Sequence, residues 1–547
     1  MTRYALIATL IAAAMPPAWA ADTQEDLLRF TNGDQLHGSF LGLRDGPAVA
    51  WKRDDLDQAV EFKTSKVRHV VLRGGRPLKA LESLSHAGLV NGDRVPGTIA
   101  AIDGEHVTLE TSHAGTLRIP RNQISILAPN PLGGRVYYHG PFSTTDWKMI
   151  HAAYPDGLPD EKPAAADAAA PGNDAQDGKE AADDDPAQNA GENATPAELP
   201  GRWDFSGAAW YWQQKRPGTA LIRESGMPDR SVLRFDLAWK NRLSVAVAFH
   251  ADFARPKPVD EEPEEDPEVD KEQLRAREID RILNGNPNDS SNLPRLFGNA
   301  YVLQIYTNYL MLFRTSLNNE GRPNVKRVHL NNNNLRLGDA NKATIELRSN
   351  LSAGTITLFI NEEFISQWND TDFAGQDDPP AADPWTGGPG FGFVAQGDDS
   401  PVRISDIVVS EWNGMPDSAR SLQIDDLDVV LMANGTDRYA GRVGSLDEQG
   451  KLVFEGKHGT FRFPVDDIAE IRFARKQLAA APEDSAERVL VRFSPVGSIS
   501  GRPAGSAGSL LQLIHPLIGE MDLSIDSAVM LEFNSSNQFI DDWDANF

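Results

Sequence analysis

A glycine that opens a strand, followed at a set distance by a closing apolar strand, occurs four times in this chain. Gly97 leads to Ile124, Gly441 to Ile468 and Gly501 to Ala528, each 27 residues on, and Gly38 leads to Val67 after 29. Three of the four glycines follow an Asn-Gly turn, in "FTNGDQLHG", "VNGDRVPG" and "ANGTDRYAG". The fourth copy, "VRFSPVGSISGRPAG", is degraded. Matched spacing of this kind calls for four copies of a small unit, and 547 residues are too many for one ordinary core. Each copy alternates polar and apolar residues in short runs broken by Gly, Asn and Asp, the pattern of antiparallel strands. Asn and Gly both tolerate φ > 0, so "NG" is expected to be a tight turn. Five short strands in roughly forty residues predict a small barrel.

Two copies lie near each end of the 547-residue chain, and what separates them is of another kind. The formal charge is -26, but residues 155–200 carry a net -10 and residues 256–290 a net -7. Residues 156–200 are Ala, Asp, Pro, Gly and Asn with almost no large apolar side chain, which reads as a disordered linker. The second acidic run passes into "DKEQLRAREIDRILNG", an amphipathic helix with Asp270 and Gln273 as a capping box and Gly285 past its last turn. Acidity concentrated in linkers, with no cluster of Lys/Arg, excludes a nucleic-acid partner. At the N-terminus Arg3, "YALIATLIAAAM" and Ala18-Trp19-Ala20 read as a signal peptide cleaved before Ala21. No segment has the length of a membrane span. The protein is therefore expected to be periplasmic or secreted, and with no cysteine its stability rests on packing.

Between the repeats the strands lengthen. In "SVLRFDLAW" Leu233, Phe235, Leu237 and Trp239 share a face, with Arg234 and Asp236 on the other. In "RLSVAVAFHADF" Leu243, Val245, Val247 and Phe249 oppose Ala246, Ala248 and His250. "YVLQIYTNYLMLFR" reads as a hairpin turning at Thr307-Asn308. It puts Leu303, Ile305, Leu310 and Leu312 on one face and Gln304, Tyr306, Tyr309 and Met311 on the other. Long strands with one apolar face each predict a two-sheet sandwich.

"AYVLQIYTN", "TITLFINEEFISQW" and "GPGFGFVAQGDDSPVRISDIVVSEW", in that order, resemble the concanavalin A-like lectin/glucanase superfamily, in its 3-keto-disaccharide hydrolase-like branch. Tyr301 and Gln304 match that branch's Tyr-Glu-x-Gln strand. Asn361 matches its late turn, and Gly390, Gly392 and Ile407 match its closing strands. The resemblance covers residues 203–412 and implies a jelly roll whose concave sheet faces a sugar. Val302 stands where the branch has its acidic residue, and Asn241-Arg242-Leu243 replaces its Asn-Ser-Gly turn. The glucanase Glu-x-Asp-x-x-Glu strand is absent; "EIDRIL" is a near miss in the helical insertion. Without two carboxylates flanking a glycosidic bond, ordinary hydrolysis lacks its acid and base. The small repeats resemble SH3-like and Sm-like barrels.

The fold expected is all-β: a central concanavalin A-like jelly roll flanked by two pairs of five-stranded SH3-like barrels. The division is signal peptide 1–20, barrels 21–80 and 81–136, connector and linker 137–200, jelly roll 201–414 with an acidic insertion 255–297, and barrels 415–480 and 481–547. Gln304, Tyr306, Tyr309 and Met311 are candidates for a sugar platform, joined by Arg234, Asp236 and His250 from neighbouring strands; alternatively Arg234 and Asp236 form a structural ion pair. The aromatic run Trp203 to Gln214 reads as core, and His329 to Asn334 as a loop that with Asp339 can also serve calcium. No catalytic residue, metal site or cofactor is assigned. The function expected is that of an exported, non-catalytic carbohydrate-binding or scaffold protein, its partners a glycan or, through the barrels, other envelope proteins. The alternatives are a glycoside-cleaving enzyme and a pure assembly module.

Overall fold

A computed structural model describes residues 25–44, 48–159, 200–206, 209–256, 279, 282, 289–318, 321–328, 337, 341–361, 363–373, 387–398, 400–414, 424–482 and 488–533. The expected signal peptide, most of the acidic linker, most of the helical insertion, the run His329 to Asn334 and Asp339 lie outside these residues. The protein is all-β, built of antiparallel pairs. No helix among the described residues is long and apolar enough to cross a membrane.

Each repeat is a five-stranded unit. Repeat 1 runs Asp26–Phe30, Gln35–Arg44, Ala48–Lys52, Val60–Lys63, a 3₁₀ turn Thr64–Lys66, and Val67–Val71. Its first strand pairs with the second and the last, the second with the third, and the third with the fourth. The same scheme holds in the units beginning His86–Leu89, Asp428–Met432 and Val489–Phe493. At the turns, Gly33, Gly92 and Gly435 take φ of 89°, 90° and 75°. Their N–H groups close onto Phe30, Leu89 and Met432 carbonyls at 3.1, 3.1 and 3.0 Å. The asparagines act differently from the sequence expectation. They keep ordinary φ, and Oδ1 of Asn32, Asn91 and Asn434 accepts from the backbone N–H of Asp34, Asp93 and Thr436. The strand-opening glycines answer to close approach: a Cβ on Gly441 would lie 2.1 Å from the Glu455 carbonyl oxygen.

Sequence places the repeats in flanking pairs, but in space they pair across the middle domain. Val70 faces Leu531 where the last strands of repeats 1 and 4 meet, and Leu127 faces Ile471 where those of repeats 2 and 3 meet. In both cases the fourth residue of one closing strand faces the fourth of the other, so the two junctions share one self-complementary register. A second feature tells the repeats apart. Asp26 accepts from the N–H of Phe40 and Arg73, and Asp428, at the same place in repeat 3, accepts from Val443 and Ala474. Repeats 2 and 4 carry Ser85 and Val489 there. Repeats 1 and 3 thus share an anchoring Asp that repeats 2 and 4 lack. Repeats 2 and 4 touch where Asp93 accepts from Ser500 and His515. One apolar core cluster contains residues of all four units.

The middle domain is a sandwich. An eight-stranded sheet contains Ala209–Trp212, Val402–Glu411, Arg230–Trp239, Lys342–Asn350, Thr355–Ile360 and Glu363–Asn369; a seven-stranded sheet contains Ala220–Arg223, Gly390–Ala395, Ser244–Ala251, Ala300–Tyr306, Leu310–Leu317 and Pro323–Val328. Leu233, Phe235, Leu237 and Trp239 meet Val245, Val247, Phe249, Leu303 and Ile305 between them. Trp203, Trp210 and Trp212 are buried in the same core. Part of the stretch read as a connector joins the sandwich: Val136–Gly140 pairs with Val402–Glu411, and Lys148–Ile150 with Ala220–Arg223. Strands this short carry too few alternations to be seen in sequence.

Candidate functional site

The hairpin Ala300–Tyr306/Leu310–Leu317 turns over two residues, with Tyr306 N–H on the Tyr309 carbonyl at 3.0 Å. Its apolar face enters the core. Gln304, Tyr306, Tyr309 and Met311 therefore lie on the outer face of the seven-stranded sheet.

Much of that outer face is covered. Ala246, Ala248, Val302, Phe313 and Val394 pack beneath Leu293, Leu296 and Phe297 of a short helix, Leu293–Phe297. Pro294 in its first turn and Gly298 at φ 66° set the helix ends. Met311, half-buried, packs against this cluster and adds no polar group to a site.

At the turn end of the sheet the surface changes character. The rings of Tyr306 and Tyr309 stack with centroids 4.3 Å apart and planes at 19°. Tyr309 is 49% exposed. Burial, then the neighbouring Tyr309, pushes the Tyr306 hydroxyl up to about 12. That hydroxyl donates to Gln304 Oε1 at 3.2 Å. Gln304 is otherwise enclosed, and its side-chain nitrogen has no hydrogen-bond partner among the described residues. Two strands away, Gln396 is also enclosed, with its side-chain oxygen unpartnered among the described residues. Its N–H donates to the Ser244 carbonyl, and Ser244 is the cross-strand neighbour of Tyr306. Gln396 and Ser244 were not singled out in sequence. The signal was there: each continues the outward alternation of its strand, Gln396 after Val394 and Ser244 before Ala246. A buried amide left unpaired costs about 1–3 kcal/mol, a cost that a hydrogen-bonding partner reaching it would remove.

The three remaining candidates do not join this group. Arg234 and Asp236 lie on the outer face of the other sheet. Asp236 accepts from the Thr344 hydroxyl at 2.7 Å, and burial, then the charge of Asp406, pushes its carboxyl up to about 6. Arg234 acts on it through space. Asp406 sits in a register shift with φ 47° and is held by His139 Nε2 at 3.0 Å. This edge of the sandwich meets the sheet of repeats 1 and 4, where Arg29, His69 and Glu532 stand side by side across three strands.

His250 points inward, against the alternation that placed it with Ala246 and Ala248. The strand bulges between Phe249 and Ala251, and His250 takes φ 52°. Its Nε2 lies 2.8 Å from the Ser349 hydroxyl and 3.3 Å from that of Ser231, between the sheets. Burial pushes its imidazole down to about 4. Among the described residues no group of three or more His, Asp or Glu is placed to hold a metal ion.

No protein-family model matches the chain. No curated protein matches it either. Solved structures with similar folds include the carbohydrate-binding module CBM66 from Bacillus subtilis, at 9% identity and TM-score 0.21, covering 39% of this chain and 92% of that one. A Bacillus subtilis protein of unknown function with a galectin-like fold is similar at 13% identity and TM-score 0.24, over 51% and 97% of the two chains. Bacillus licheniformis β-glucanase is similar at 10% and 0.19, over 38% and 79%. At such scores the ground for the fold remains the strand pairing described above.

Proposed function

We propose that this chain is an exported, non-catalytic carbohydrate-binding protein, with its glycan held at the turn end of the seven-stranded sheet. The observation that carries this is the stacked pair Tyr306–Tyr309 beside two enclosed amides, Gln304 and Gln396, each with an unpartnered polar atom. An aromatic ring covers the apolar face of a pyranose, while amides take its hydroxyls. The four repeats are read as SH3-like barrels that carry the sandwich. Export rests on Arg3, the apolar run after it and Ala18-Trp19-Ala20; N-terminal sequencing of the mature protein should begin at Ala21.

The test is a glycan array probed with the wild type, with Tyr306→Ala/Tyr309→Ala and with Leu303→Ala. The tyrosine pair should lose binding with little change in melting temperature. Leu303, fully buried, should instead lower stability by roughly 2–5 kcal/mol through its cavity. Undiminished binding by the tyrosine variant overturns the assignment. A second reading, a scaffold without sugar ligand, has one observation in its favour: the helix Leu293–Phe297 covers the middle of the outer face. It takes over if no glycan binds the wild type.

A further inference from the structure

The two repeat junctions share one register, so each serves as a control for the other. Where repeat 4 meets repeat 1, the residue after the fourth strand is Ile525, and the residue after the closing strand of repeat 1 is Leu72. Where repeat 2 meets repeat 3, the corresponding residues are Arg121 and Phe473. Strand pairing alone does not require the exchange, because the 1–4 junction forms with the apolar pair.

Arg121 and Phe473 line a cleft of ≈ 650 Å³ between repeats 2 and 3, together with Glu105, Asn122, Arg442 and Gln477. That volume falls in the range of small-molecule sites, which often lie at interfaces. The Arg121 guanidinium is fixed in advance. It lies over the Phe473 ring at 4.7 Å, donates from Nη2 to Asp428 Oδ2 at 3.1 Å and to the Val443 carbonyl at 2.7 Å, and from Nη1 to the Gly444 carbonyl at 3.5 Å. Asp428 is spent on structure, since it also accepts from the N–H groups of Val443 and Ala474. Across the cleft Arg442 is exposed and has no ion-pair partner among the described residues. Two guanidiniums and two amides thus line the cleft with two carboxylates: Asp428, which already accepts three donors and pairs with Arg121, and Glu105.

We infer that this cleft is a second ligand site, which takes a small molecule bearing an oxyanion, with Arg121 and Arg442 as the paired cations. With both Nη2 hydrogens spent on Asp428 and Val443, Arg121 can give an oxyanion only a single N–H contact, and the second contact comes from Arg442 across the cleft. The amides of Asn122 and Gln477 supply neutral hydrogen bonds to the rest of the ligand. The site is independent of the tyrosine pair on the sandwich.

Isothermal titration of the full chain, as wild type and with Tyr306→Ala/Tyr309→Ala to remove the proposed sugar site, tests this with sodium glucuronate, sodium phosphate and glucose, and the glucose arm is read on the tyrosine variant. Glucuronate or phosphate should bind, more weakly as salt rises, and glucose should not. Binding by either anion supports the site, and the tighter of the two identifies the source of the oxyanion. Arg442→Ala should weaken binding at least tenfold with an unchanged melting temperature. Tyr306→Ala/Tyr309→Ala should leave anion binding intact, so failure of the sugar site and failure of this one are distinguishable. Absence of anion binding, equal binding by Arg442→Ala, or equal binding of glucose overturns it.

Discussion

Replacing three of the strand-opening glycines, Gly97, Gly441 and Gly501, by alanine should give a graded loss of stability that follows the space at each position. Gly97, Gly441 and Gly501 are not in the left-handed region, so no backbone strain enters, and the effect is steric alone. At Gly501 the new Cβ would meet the Ile514 carbonyl oxygen at 3.1 Å and Leu513 Cβ at 3.3 Å, contacts that a shift of a few tenths of an ångström relieves. Alanine also restricts the unfolded chain, worth about 0.4–1 kcal/mol in the other direction, so the net change should be near zero. At Gly97 the neighbours are Thr111 Cγ2 at 2.9 Å, which can turn, and the Glu110 carbonyl at 3.0 Å, which cannot turn. A net loss of about 1 kcal/mol is expected there. At Gly441 the Cβ would stand 2.1 Å from the Glu455 carbonyl. The strand Lys451–Gly456 must move bodily, straining its pairing with Arg438–Leu446, and the loss should reach about 3 kcal/mol. Urea unfolding gives the three values, and hydrogen exchange in Lys451–Gly456 gives a local readout. Equal losses at all three positions, or a Gly441→Ala protein within 0.5 kcal/mol of wild type on the ordinary surface scale, would refute the close-approach account.

Asp236→Asn should change the pH dependence of stability. The folded carboxyl titrates near 6, above its unfolded value, so the wild type has this contribution in full below about pH 4 and loses it as pH rises through 6; two pKa units amount to about 3 kcal/mol. The asparagine variant should lack that step in a series of urea midpoints, and an identical profile counts against the burial assigned to Asp236. His250, pushed down to about 4, has the opposite sign: stability falls as pH drops from 6.5 toward 4, and His250→Gln should flatten that limb in acid denaturation. Asp428→Ala removes the acceptor of two backbone N–H groups and of Arg121, and should cost several kcal/mol by urea unfolding, more than Asp428→Asn.

Alternation made the sandwich strands legible because one face of each is buried and side chains repeat every two residues. It placed Leu233, Phe235, Leu303 and Leu312 inside without ambiguity. The same rule misplaced His250, since a single extra residue in a bulge reverses the facing and leaves no mark in composition. Alternation also could not say that Arg234 and Gln304 stand on outer faces of different sheets, because facing is a local property and sheet membership is not. The repeats were visible as spacing. Their pairing of first with last was not, for it depends on Val70 meeting Leu531 and Leu127 meeting Ile471 across the whole intervening domain.

That crossed pairing sets an order of events for the folding chain. The edge of repeat 1 at Val67–Val71 is completed by Ala528–Phe533, so the first unit to emerge waits for the last strand to be made. Contacts of such sequence separation form slowly, because the loop must close before they contribute anything. The sandwich pairs Val136–Gly140 with Val402–Glu411, so its folding brings its own two ends together and shortens that loop. Until then the closing strands of repeats 1 and 2 present unpaired backbone to any neighbouring chain. A protein arranged in this way is most exposed to misassembly during its synthesis, before the strand Ala528–Phe533 has been made.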